Sequence, residues 1–185
     1  IATDERLTET QKQSLIDVYR AFIAANDATV LSTGTWFIAM RSLAADAAVE
    51  THTLDEARDC LVNVDTCGRP TPSARFMGGR ELEAIAAIAG FELANSDDMN
   101  ECLLRLPGLV QRYACATPGF VPGVGPFPRA RGKWTRRPHD PADRRAMAYL
   151  YLALMTDAAL NLIGSRDRLL IEGRFADNPV FVRAL

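Results

Sequence analysis

The chain has 185 residues, of which 48% are hydrophobic and 24% charged, and its formal net charge is -2. That length supports one domain with a sizeable core, and the charge balance gives no overall bias toward nucleic acid or acidic lipid. No apolar run reaches the roughly 18 residues of a membrane span and nothing resembles a secretory leader, so a cytoplasmic protein is expected.

Residues 8–25 carry an amphipathic helical pattern, with Leu15, Val18, Tyr19, Phe22 and Ile23 on one face. Thr29-Val30-Leu31 and Trp36-Phe37-Ile38 are short β-prone runs around Ser32-Thr33-Gly34-Thr35, which predicts a hairpin with a tight glycine turn. Leu61 to Val64 alternates like a strand, Cys67 to Pro70 supplies a turn, and Ala74 to Met77 reads as a return strand. Gly78-Gly79 precedes a helix from Arg80 to about Ala89, closed by Gly90. A further helix is expected over Asn95 to Leu106, interrupted by Pro107-Gly108.

Residues 117–141 are rich in proline and glycine, and a loop of that length is expected to be functional or disordered. From Pro141 to Ile163 the pattern is helical and, over Ala146 to Met155, apolar nearly all round, so this helix should lie between layers. Arg168 to Ile171 is a last strand, and Asn178-Pro179 opens a helix with a cap followed by a proline at the first position. Hairpins followed by helix, strand and helix predict an α/β domain with a mixed sheet.

Three glycine turns join these elements. Gly34 between two hydroxyl residues, Thr33 and Thr35, suits phosphate oxygens, because glycine admits close approach and hydroxyls can donate. Gly78-Gly79 would let a ribose or base pass close to backbone. Gly173 follows a strand at the position where α/β sheets place ligands. Each is weak alone, and an ordinary turn is the commoner meaning of such a tripeptide.

Other chemistry has little support. Cys60, Cys67, Cys102 and Cys115 form no CxxC pair, and neither His52 nor His139 lies at ligand spacing from them, so no metal-ligating set is expected. There is no G-x-x-x-x-G-K-[ST] and no G-x-G-x-x-G. The stretch Arg129 to Arg137 is basic around Trp134, but Asp140 and Asp143 dilute it, and no nucleic-acid partner is expected.

In order, Val30-Leu-Ser-Thr-Gly-Thr-Trp36, Phe76-Met-Gly-Gly-Arg-Glu81, Pro118 to Phe127 with Ala130-Arg-Gly132, and Ile171-Glu-Gly-Arg-Phe-Ala-Asp-Asn-Pro179 resemble the C-terminal domain of the FGGY carbohydrate kinases. The resemblance spans roughly residues 28–185. It implies a ribonuclease-H-like, actin-like ATPase domain whose mixed sheet is flanked by helices. It also implies ATP and Mg2+ as cofactors and a sugar as substrate.

By the same resemblance, Thr33, Gly34 and Thr35 face the phosphates, Gly78, Gly79 and Glu83 lie near the ribose, and Gly173 and Asn178 flank the adenine. Trp36 is similar to the subset acting on deoxy-ketoses such as rhamnulose or fuculose, beside xylulose and ribulose as ketose alternatives. Where the family has a glycine run at the adenine turn, this chain has Glu172 before a single Gly173. The family's catalytic base is an Asp before the domain's first helix. Asp4 is the candidate here, and the base is otherwise unassigned.

The whole of 1–185 is therefore expected to be the nucleotide-binding lobe of a longer two-lobed kinase, with a leading helix region over 1–27. The sugar-binding lobe would lie outside this chain and be its partner, with a homodimer left open. The isolated lobe is expected to lack turnover. A non-catalytic interaction domain of the same fold is the alternative.

Overall fold

A computed structural model describes residues 8, 28–43, 54–65, 68–93, 98–166 and 168–185. The helix expected over 8–25, Asp4, His52, Cys67 and the capping position of the Asn95 helix lie outside the described residues.

Five strands form one mixed sheet: β1 (Ala28–Thr33), β2 (Phe37–Ser42), β3 (Cys60–Val64), β4 (Pro70–Phe76) and β7 (Arg168–Gly173), in the order β3-β4-β2-β1-β7. β1 and β2 are the predicted hairpin, antiparallel with Thr33 opposite Phe37. β7 joins β1 in parallel, Thr33 opposite Gly173. β4 pairs antiparallel with both β2 and β3. β4 begins earlier than Ala74 and contains Pro70 and Pro72. The Arg75 N–H points to the β3 side, so by alternation positions 70 and 72 face the β2 side, beyond its last pair at Ser73, and their missing N–H groups leave no ladder bond unmade.

Among the described residues, four α-helices accompany this sheet: α1 (Gly78–Ala89), α2 (Asp98–Gln111), α3 (Pro141–Leu162) and α4 (Pro179–Ala184). α3 is the central helix, touching α1, α2, α4, β2 and β4. Its burial on nearly all sides, from Ala146 to Met155, agrees with its unbroken apolar sequence. Asp140 caps it by accepting from the Ala142 N–H at 2.8 Å. Asn178 caps α4 in the same way, accepting from Phe181 N–H at 3.0 Å. Phe37 centres an aromatic cluster with Phe76 and Phe175, both at 5.1 Å, and Phe181 at 5.6 Å. This cluster fixes the start of β2 against α4.

Two expectations are corrected. Pro107-Gly108 does not interrupt α2, which continues to Gln111. Pro107 lies on the exposed side, while Cys102, Leu106 and Leu109 form one buried stripe across it. Burying Leu109 is worth about 2 kcal/mol and largely offsets the proline penalty of about 3 kcal/mol. The 117–141 stretch is also more regular than its composition suggests. β5 (Cys115–Thr117) and β6 (Lys133–Thr135) pair at its base as a small second sheet.

Candidate functional site

All five strands of the main sheet end at one margin, where Gly173, Thr33, Phe37, Phe76 and Cys60 stand in spatial order. The three glycine turns meet there. The Gly79 N–H donates to the Thr35 carbonyl at 3.2 Å. A Cβ on Gly79 would stand 2.6 Å from the Gly34 carbonyl oxygen, so only glycine lets α1 start this close to the turn. Gly173 has φ of 86°, and a Cβ there would strike the Thr33 backbone. Corners far apart in the sequence therefore stand side by side at this margin.

Thr33 fastens the Gly173 corner to the hairpin turn. It is buried, its hydroxyl donates to the Glu172 carbonyl at 2.6 Å, and the same oxygen accepts from Phe175 N–H at 3.0 Å. Thr35 at the tip is exposed, and its hydroxyl bonds to none of the described residues.

A buried carboxylate stands behind this margin. Glu81, in the first turn of α1, is 2% exposed. It accepts from Phe120 N–H and Val121 N–H, both at 3.0 Å, and from the Tyr151 hydroxyl at 2.9 Å. Burial pushes the Glu81 carboxyl above its ordinary range, against the pull of the three donors. Burial and then the Glu81 charge push the Tyr151 phenol up as well. Further along the loop, Asp59 accepts from Gly125 N–H at 2.7 Å and pairs with Arg75 at 3.2 Å. The Arg75 guanidinium lies 5.2 Å from the Trp36 ring centre. The proline- and glycine-rich loop is thus tied to the same margin at both Glu81 and Asp59.

A model of the carbohydrate kinase FGGY C-terminal domain matches residues 25–185. The chain belongs to that family. Its mixed sheet with packed helices is the family's actin-like domain. A carbohydrate kinase from Novosphingobium aromaticivorans is 52% identical with a TM-score of 0.84, over 92% of this chain and 36% of that one. A xylulose kinase from Bifidobacterium adolescentis is 22% identical with a TM-score of 0.62, over 88% of this chain and 32% of that one. Plasmodium falciparum glycerol kinase, solved with ADP, is 12% identical with a TM-score of 0.54, over 90% of this chain and 35% of that one. The latter two likenesses show the fold alone. The chain spans about a third of the length of each. No curated protein matches it significantly.

Within this FGGY domain the predicted residues that are described divide into three groups. Gly34, Thr35, Gly79 and Gly173 come together, with Thr35 alone offering a free hydroxyl. Thr33, Gly78 and Asn178 are buried and structural in their side-chain positions: the Gly78 Cα faces the Phe37 ring, and Asn178 also donates to the Met99 sulfur at 3.3 Å. The Thr33 hydroxyl, spent on Glu172 and Phe175, is not available to a phosphate. Glu83 is exposed one turn into α1 and pairs with Arg80 at 3.4 Å. Asp4 lies outside the described residues.

The basic stretch is partly internal wiring. Arg137 donates to the Ala89 carbonyl at 2.8 Å and Arg136 covers the Tyr113 ring at 5.6 Å. Glu81 and Asp59 were missed from sequence, because a Glu in a first helical turn ordinarily reads as a solvated charge near the positive dipole end. Among the described residues, no helix is long and apolar enough to cross a membrane.

Proposed function

We propose that this domain is the nucleotide-binding lobe of a kinase that moves the γ-phosphoryl group of ATP to a sugar hydroxyl. The convergence of Gly34, Gly79 and Gly173 on one margin supports the reading. The three corners put backbone within reach of a flat ligand, with the exposed Thr35 at the turn beside it. In this arrangement the phosphates lie along the Gly34-Thr35 turn, the ribose passes Gly79, and the adenine sits between Gly173 and the backbone at Asn178. Asn178 would contribute backbone only, since its side chain caps α4.

Phosphoryl transfer asks the protein for positioning, charge neutralisation and a base at the acceptor oxygen. This lobe supplies positioning and the Thr35 donor. Among the described residues no three His, Cys, Asp or Glu side chains gather as a metal cage. In this reading Mg2+ enters as the counterion carried on the triphosphate, and no step is assigned to it. The base, for which Asp4 is the candidate, and most sugar contacts belong to the remainder of the closed cleft. The acceptor is a ketose or deoxy-ketose, with the choice among rhamnulose, fuculose, xylulose and ribulose made outside the described residues.

The test is Thr35→Ala in the full-length parent. Losing a hydrogen bond to a charged group costs about 1.5–3 kcal/mol, so turnover should fall about 10- to 100-fold with unchanged melting temperature. Unchanged turnover would remove Thr35 from the phosphate site, and a wild type with no turnover at all would favour the non-catalytic interaction domain.

A further inference from the structure

The sheet margin continues past β2 to β4 and β3, away from the nucleotide seat. There a cavity of about 400 Å3 opens between the 3-10 turn Glu56–Arg58 and the loop from Pro126 to Ala130. Small-molecule sites run from roughly 300 to 1,000 Å3. β3 lies three strands from β1, or roughly 14 Å at the usual strand spacing, so this is a separate place from the Gly34 turn. We propose that this cavity binds a small phosphorylated polyol, its phosphate held by Arg58 and Arg129 and its carbon chain laid against Phe127.

Arg58 is aimed and held. Its Nε donates to the Pro126 carbonyl at 2.7 Å, and its guanidinium carbon lies 5.6 Å from the Phe127 ring centre. Its two terminal nitrogens have no partner among the described residues. A guanidinium already fixed in orientation loses little freedom when it meets a phosphate with two parallel bonds. Arg129, on the loop side of the cavity, is exposed and makes no ion pair or hydrogen bond with any described residue.

Against these two cations the cavity wall carries one carboxylate, Asp55, whose Oδ1 is already occupied by the Ala57 N–H at 3.0 Å. The wall is therefore net positive, which selects an anion. Phe127, 36% exposed, adds an apolar surface that a bare phosphate would not use.

The cavity is also preformed. Asp59 sits at φ 58°, an uncommon conformation for a residue other than glycine. It is held there by bonds that tie Gly125 and Arg75 to it. Arg58 and the loop residues are thereby fixed on opposite sides of the space before any ligand arrives, which lowers the ordering cost of binding.

Titration calorimetry on the full-length parent decides the matter, using glycerol 3-phosphate, inorganic phosphate and glycerol as probes. Glycerol 3-phosphate should bind at least about 5-fold more tightly than inorganic phosphate, and glycerol should not bind detectably. Arg129→Glu touches no internal partner and should weaken glycerol 3-phosphate at least 10-fold. Arg58→Gln should do the same. ADP titrated into the same samples should bind equally in all three proteins.

Wild-type affinity in both variants, displacement of the probe by ADP, equal binding of inorganic phosphate, or no binding of glycerol 3-phosphate up to about 20 mM would each overturn the assignment. Absent ADP binding alongside retained glycerol 3-phosphate binding would remove the nucleotide seat and leave this site standing.

Discussion

Two carboxylates at opposite ends of the burial range carry opposite pH signatures. Glu81 is buried and its carboxyl is raised, so the folded state holds its proton more firmly than the unfolded state does. Its contribution to stability is fully present below the ordinary Glu value of 4.5 and is lost as pH rises through the higher folded value. Asp140 is lowered, first by the Ala142 N–H and then by Arg105. Its contribution is present above 3.8 and is lost as pH falls through the lower folded value. Denaturant unfolding from pH 3 to 8 should show the stability difference between wild type and Glu81→Gln shifting against wild type as pH rises. The Asp140→Asn difference should shift against wild type as pH falls. Parallel curves for all three proteins would show that neither group is perturbed. The Asp140 cap is a local relation to the next two residues, but in the sequence Asp140 counted only as a charge beside the basic stretch. Glu81 could not be read there, because its partners Phe120, Val121 and Tyr151 are supplied only by the fold.

At the scale of elements, local signals performed well where the physics is local. The glycine turn of the β1–β2 hairpin, the Asn178-Pro179 helix start and the Gly90 helix end appear as expected. Local signals failed at Pro107, where the buried stripe of Cys102, Leu106 and Leu109 outweighs a helix breaker. They also failed within 117–141, where β5 and β6 meet across more than a dozen residues. The Glu81 anchor is the element-scale feature most open to test. Glu81→Ala leaves two part-buried N–H groups and one buried hydroxyl without this acceptor. It should lower stability by about 3 kcal/mol and speed amide exchange at Phe120 and Val121. Unchanged protection at those two amides would show that the loop is held by its apolar contacts alone, Phe120 against Tyr151 among them.

Across the whole molecule, the decisive relation is parallel pairing between β1 and β7, strands from opposite ends of the described chain. It sets Gly173 beside Thr33, while α1 sets Gly79 beside Gly34. The three turns could each be found in the sequence. Their meeting could be inferred only through the ordered likeness to a family, since no single spacing encodes it.

Titration calorimetry of ADP-Mg2+ into the full-length protein tests that meeting most directly. Wild type should bind, and Gly79→Ala, which forces a Cβ toward the Gly34 carbonyl, should lose at least 10-fold in affinity. Gly108→Ala, on the open face of α2 with nothing near its Cβ, should bind like wild type. Wild-type affinity in Gly79→Ala, or no affinity in the wild type itself, would contradict the account.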